Sequence, residues 1–185
     1  MPSGDKKWLN TLILFGNLED QDLGWFERVG TVAQVKAGTR VISAGQEGRA
    51  LIIILDGKIE VTTSQERSLA TLLPGEILGE ISLVEQRATI ANCTALTDCW
   101  LLSVPFVDIK QRLADEAAFA ARFYHAIATI LGARLRNMVQ TPITEGTDIF
   151  QDGTEFEGEL DFAMMDKTGV AGARFDRLRK KYVPE

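Results

Sequence analysis

Hydrophobic positions change their spacing repeatedly along the chain. Near the start, Leu9, Leu12, Ile13 and Phe15 form an apolar cluster. Asn17-Leu-Glu-Asp then offers capping side chains ahead of Leu23, Trp25 and Phe26. Residues 8–30 are therefore predicted to form short helices. From Val32 the texture changes. Short apolar runs alternate with turn residues at Gly38, Gly45, Gly48, Asp56-Gly57 and Pro74-Gly75. Strands recurring at intervals of roughly 8–12 residues with glycine turns predict an all-β sandwich or roll. The clearest unit runs from Ala50 to Leu55, through Asp56-Gly57, to Lys58-Ile-Glu-Val. Asp-Gly supplies the positive φ angles of a tight turn, so a hairpin is expected here. Ile59 and Val61 would face one way and Lys58 and Glu60 the other. Further strands are predicted at Ser68–Leu73, Ala91–Ala95 and Cys99–Val104.

Helical spacing returns after Ser103-Val-Pro, with Phe106, Ile109 and Leu113. A longer helix is predicted over 116–139. It carries two apolar stripes, Phe119, Phe123, Ile127 and Ile130, and Tyr124, Ala128, Leu131, Leu135 and Met138. They lie about 100° apart around the helix. One stripe suffices to dock a helix on its own domain. The second needs another partner, and a twin helix in a homodimer is the simplest; deeper burial within one subunit is the alternative. Thr141-Pro142 ends the helix. Glu145–Asp161 holds seven acidic residues and no basic ones, the composition of a solvated linker. Val170–Tyr182 is predicted as a short last helix with an apolar stripe of Phe175, Leu178 and Tyr182. Its other face carries Arg174, Arg177, Arg179, Lys180 and Lys181. This helix either presents a solvated face, docks on the domain or binds an acidic partner. The expected division is one domain over 1–140 and a linker with helical tail over 141–185.

Composition narrows the function. The 185 residues carry a net charge of −6, with 20 Lys and Arg against 26 Asp and Glu. An acidic chain is poorly suited to phosphate backbones, so no nucleic-acid partner is expected. Cys93 and Cys99 lie in apolar, strand-like runs and read as buried free thiols. No segment approaches the roughly 18 apolar residues of a membrane span, and a cytoplasmic location is expected. The one histidine, His125, sits in the long helical pattern. Metal sites of the cupin or zinc type draw on several imidazoles, so neither a metal nor a catalytic group is expected.

The informative stretch is Pro74-Gly-Glu-Ile-Leu-Gly-Glu-Ile-Ser-Leu, running into Arg87-Ala-Thr-Ile-Ala-Asn. With Leu12-Ile-Leu-Phe-Gly-Asn-Leu, Val35-Lys-Ala-Gly-Thr-Arg-Val-Ile-Ser-Ala-Gly and Leu51-Ile-Ile-Ile-Leu-Asp-Gly-Lys-Ile-Glu-Val in order, residues 12–140 resemble the cyclic nucleotide-binding domain family, as found in sensors of the catabolite-activator type. The resemblance implies an α+β, mainly β fold. It is a jelly-roll-like β-roll, or double-stranded β-helix, with short N-terminal helices and a long C-terminal one. It implies a cyclic nucleotide as ligand, cAMP before cGMP, and no other cofactor. Gly79-Glu80 would open the phosphate-binding cassette. Gly79 lets backbone approach the ligand, and Glu80 accepts from a ribose 2′-hydroxyl. Ile81 and Ser82 start a short helix whose free N–H groups face an anion. Val61, Leu69 and Leu72 would line the apolar wall.

The chain departs from the pattern in three places. Counted without gaps, the family's phosphate-binding arginine slot holds Thr89, followed by Ile90. Arg87 stands two positions earlier. Either a shortened loop lets Arg87 reach the phosphate, or the pocket is degenerate. Where base-contacting hydroxyls are common at the end of the long helix, this chain has Asn137-Met138-Val139, with Arg136 or Asn137 as candidates. The 45 residues after Gln140 leave no room for a winged helix-turn-helix, so output is expected through an unidentified partner protein. The alternative function is a roll that has lost its nucleotide and serves as an interaction module.

Overall fold

The computed structural model describes residues 9–140 and 162–184. Two helices lead in, α1 (Leu9–Asn17) and α2 (Asp20–Val29). Eight strands follow, interrupted once by α3 (Glu80–Glu85): β1 (Thr31–Val35), β2 (Arg40–Ile42), β3 (Ala50–Asp56), β4 (Ile59–Thr62), β5 (Ser68–Leu72), β6 (Ile77–Leu78), β7 (Asn92–Ala95) and β8 (Cys99–Pro105). Helices α4 (Phe106–Asp115), α5 (Ala117–Gln140) and α6 (Phe162–Tyr182) complete the chain. The strands form two four-stranded antiparallel sheets, in the orders β1-β8-β3-β6 and β2-β7-β4-β5. This is the expected jelly-roll-like α+β architecture.

One expectation fails. Ala50–Leu55 and Lys58–Val61 do not form a hairpin. β3 pairs with β6 and β8, and β4 pairs with β5 and β7. Asp56-Gly57 instead carries the chain from one sheet to the other. The positive φ expected of Asp-Gly is present, at +90° on Gly57, and a Cβ there would lie 2.5 Å from the Asp98 carbonyl oxygen. The strand partners differ because Leu51 through Leu55 are all buried. A strand apolar on both faces takes a central position with neighbours on each side.

Two apolar clusters result. One lies between the sheets and includes Ile52, Ile54, Ile59, Leu72, Leu78, Cys93 and Leu101. The other joins the outer face of the first sheet to the helices, through Phe15, Phe26, Leu102, Phe119, Phe123, Ile127 and Phe175. On α5 the first predicted stripe is buried: Phe119, Phe123, Ile127 and Ile130. Of the second, Tyr124 is 49 % and Leu135 61 % exposed, Leu131 is half-buried against the helical cluster, and the Met138 side chain lies outside the described residues. A buried ion pair fastens the helices together. Arg112 of α4 donates to the fully buried Asp22 of α2 at 2.6 Å, and Arg122 of α5 donates to the same carboxylate at 3.0 Å. The Arg112 guanidinium stacks 4.0 Å from the Phe119 ring centre.

The tail helix docks on its own chain. Phe175 meets Phe15 edge-on at 5.4 Å between ring centres, and Leu178 is buried beside it. Three of the five basic residues pair with acidic residues of the domain: Arg174 with Asp20, Arg179 with Asp56 and Lys181 with Glu27. The acidic stretch Glu145–Asp161, read as a linker, lies outside the described residues. Among the described residues no helix is long and apolar enough to cross a membrane.

Candidate functional site

The site is built where β6 turns into α3. The Ile77–Leu78 pairing with Ile52–Ile53 of β3 fixes the approach. Gly79 then adopts φ +88°, and a Cβ there would sit 2.6 Å from the Ala50 carbonyl oxygen. Only glycine fits that combination of dihedral angle and close contact. The turn drives Glu80 inward, to 3 % exposure. A carboxylate that deep requires a partner, and it has one. Arg134 of α5 donates from Nη1 to Glu80 Oε1 and from Nη2 to the Ile77 carbonyl at 2.9 Å. The turn between β6 and α3 is thus tied directly to the long helix.

The predicted residues do not all converge. Ser82 is buried and Ile81 half-buried on α3. Val61 and Leu72 join the inter-sheet cluster beside Cys93. Leu69 is half-buried and stands outside that cluster. Thr89, in the arginine slot, is buried and fully engaged. Its Oγ1 donates to the carbonyls of Ser43 at 2.5 Å and Gln46 at 3.1 Å. Its N–H donates to Gln46 O, and its own carbonyl accepts from Gly45 N–H. Asn92 pins the same segment, accepting from Ala44 N–H at 2.8 Å and donating to Thr63 O at 3.1 Å. Arg87 is exposed, and Ile90 is 70 % exposed.

Cys93 senses this charge constellation from the middle of β7. Its thiol is pushed up to about 12, first by burial and then by the negative charge of Glu80, with Arg134 and Arg40 pulling the other way. Arg40 is itself committed to Glu66 at 3.0 Å.

Sequence reading missed Arg134 while weighing Arg136 and Asn137. The signal was present. Position 134 continues the inward stripe 119, 123, 127, 130 by one further helical step. A charged residue on a buried stripe calls for a buried partner. Side chains 137 and 138 lie outside the described residues.

Residues 32–116 match the family model of the cyclic nucleotide-binding domain. The β-roll belongs to that family. The Cyclic AMP receptor protein of Thermus thermophilus is 32 % identical over 106 residues, which is 54 % of this chain and 46 % of that protein. Glutaminase 2 of Bradyrhizobium diazoefficiens is 30 % identical over 125 residues, 66 % of this chain and 19 % of that enzyme. The chain therefore spans less than half the length of these curated relatives. Among solved structures, the Thermus thermophilus catabolite activator protein superposes with a TM-score of 0.57 at 29 % identity, over 67 % of this chain and 58 % of that one. A putative cyclic nucleotide-binding protein from Geobacter metallireducens reaches 0.61 at 18 % identity, over 73 % of this chain and 99 % of its own, a likeness of fold. The domain here shares the fold of these structures.

Proposed function

We propose that this chain is a cyclic-nucleotide-responsive regulatory module, not an enzyme, that signals through α5 to a partner protein. The observation that carries the reading is the buried Glu80 carboxylate, held behind Gly79 and bonded to Arg134 of α5. A ribose hydroxyl donating to Glu80 Oε1 competes with Arg134 for the same oxygen. The ligand thus acts on the helix in proportion to its different affinity for the two helix positions. Gly79, Ile81 and Ser82 would supply the backbone around the ligand, and Val61 and Leu72 the apolar wall. The names of two relatives, the Cyclic AMP receptor protein and a cAMP-dependent protein kinase regulatory subunit of Yarrowia lipolytica, support cAMP over cGMP. The outward stripe of α5 supports a homodimer. The acidic balance argues against a nucleic-acid partner.

The second reading, an interaction module without nucleotide, draws on Thr89 and Arg87. The first spends its hydroxyl on backbone carbonyls and the second is exposed. Thermal unfolding separates the two. Saturation to about a hundred times Kd stabilises by about 2.7 kcal/mol, a rise of roughly 5–10 °C for this size. cAMP is expected to give that rise, and Glu80→Ala to weaken binding at least about tenfold. No rise with millimolar cAMP or cGMP establishes the interaction module instead.

A further inference from the structure

We propose that Arg134, contributed by α5, is the residue that binds the cyclic phosphate in this domain. The inference rests on the nucleotide reading and names the anion partner that reading leaves open. A cyclic phosphate is a monoanion, and a half-buried site holds it best with paired, charged donors. The cassette offers none. Thr89 has one hydroxyl proton, and two backbone carbonyls already face it. Among the described residues Arg87 makes no hydrogen bond or ion pair and lies in solvent. Arg40 is held by Glu66.

Arg134 is different on each count. Its side chain is 18 % exposed against 4 % for Glu80, so the pair is screened from water. The guanidinium presents five N–H donors in a fixed fork, and its two described bonds, to Glu80 and Ile77 O, leave others over. Sugar chemistry then sets the geometry. In a 3′,5′-cyclic nucleotide the 2′-hydroxyl and the phosphate-bearing 3′-oxygen sit on adjacent ring carbons. A ligand that donates its 2′-hydroxyl to Glu80 places its phosphate beside the group already bonded to Glu80, which is Arg134. Binding exchanges one internal ion pair for two ligand contacts. The hydroxyl takes Glu80 and the phosphate takes the guanidinium. Because the guanidinium belongs to α5, the phosphate itself pulls on the output helix.

Isothermal titration of the full chain with cAMP and with 2′-deoxy-cAMP tests this, with the unliganded melting temperature as a check on folding. Arg134→Gln is expected to weaken cAMP at least about tenfold, Arg134→Lys less, and Arg87→Ala to leave affinity within about twofold. The deoxy ligand separates phosphate binding from mere support of Glu80, because it makes no bond to that carboxylate. The Arg134→Gln loss should persist with 2′-deoxy-cAMP. If the loss disappears with the deoxy ligand, Arg134 only positions Glu80 and the assignment is wrong. If Arg87→Ala abolishes binding while Arg134→Gln does not, Arg87 holds the phosphate and the nucleotide reading survives. A wild-type chain that binds neither ligand removes both.

Discussion

Thr89 shows how one side chain closes a loop. Its hydroxyl and amide together satisfy the carbonyls of Ser43 and Gln46, residues 43 to 46 positions away in the chain. Removing one partner of a buried hydrogen bond costs roughly 1–3 kcal/mol. Thr89→Val keeps the shape and loses the donor, so urea unfolding should report a loss of that size. A loss near zero would mean the 43–46 turn holds without it. Cys93 gives a pH-dependent counterpart. The unfolded thiol ionises near pH 9.0 and the folded one only near 12. Its contribution to stability is therefore intact below about pH 9 and is lost as pH rises toward 12. Iodoacetamide at pH 8.5 should leave Cys93 unmodified until the chain unfolds; rapid labelling of native protein would contradict the burial. Glu80 was legible from sequence because its glycine neighbour and its motif are local. The engagement of Thr89 was not, because its acceptors are distant backbone atoms with no sequence signature.

At the scale of elements, periodicity located the helices and most strands, although α6 begins at Phe162 and not at the expected Val170, and pairing was harder to read. The strand bounded by Ala50 and Asp56 was evident, yet its partners lie at 77–78 and 99–105 and not across the Asp-Gly turn. A two-residue strand such as Ile77–Leu78 is too short to carry a pattern of its own. Helix α6 shows the same division. Phe175, Leu178 and Tyr182 marked an apolar stripe, but nothing local named the surface that receives it. That surface is α1, whose C-terminal end is capped by Arg174 through the Phe15 and Leu18 carbonyls at 3.0 and 2.6 Å. A cation at a helix C-terminus satisfies free carbonyls and opposes the negative end of the dipole. Phe175→Ala should cost about 3–5 kcal/mol of docking. Hydrogen exchange is the suitable measurement, since amides of 171–182 should exchange faster while those of β3 and β8 stay protected. Unchanged exchange in α6 would mean the ion pairs alone hold it.

In the whole molecule, α5 has two working faces. Phe119, Phe123, Ile127, Ile130 and Arg134 point into the domain, and Arg134 reaches Glu80. Tyr124, Ala128 and Leu135 are exposed and Leu131 is half-buried against the helical cluster, the four following one another at alternating steps of four and three, the spacing of a two-helix seam. Because α6 packs on α1 and β3, it leaves this seam uncovered. Burying a large apolar side chain from full exposure contributes about 1.5–3 kcal/mol, and two copies of the half-exposed Tyr124 and Leu135 would offset part of the cost of association, put at roughly 4–15 kcal/mol. Sedimentation at micromolar concentration should therefore find a dimer, and Leu135→Glu should convert it to a folded monomer by placing like charges across the seam. A wild-type monomer would assign the seam to a different protein. A dimer would join the two halves of the mechanism: the helix whose inner face releases Glu80 to the nucleotide is the one whose outer face meets its twin. Any shift or rotation of α5 at one site would then be felt at the other, and cAMP titration of the dimer would depart from a single-site isotherm while Leu135→Glu would restore one.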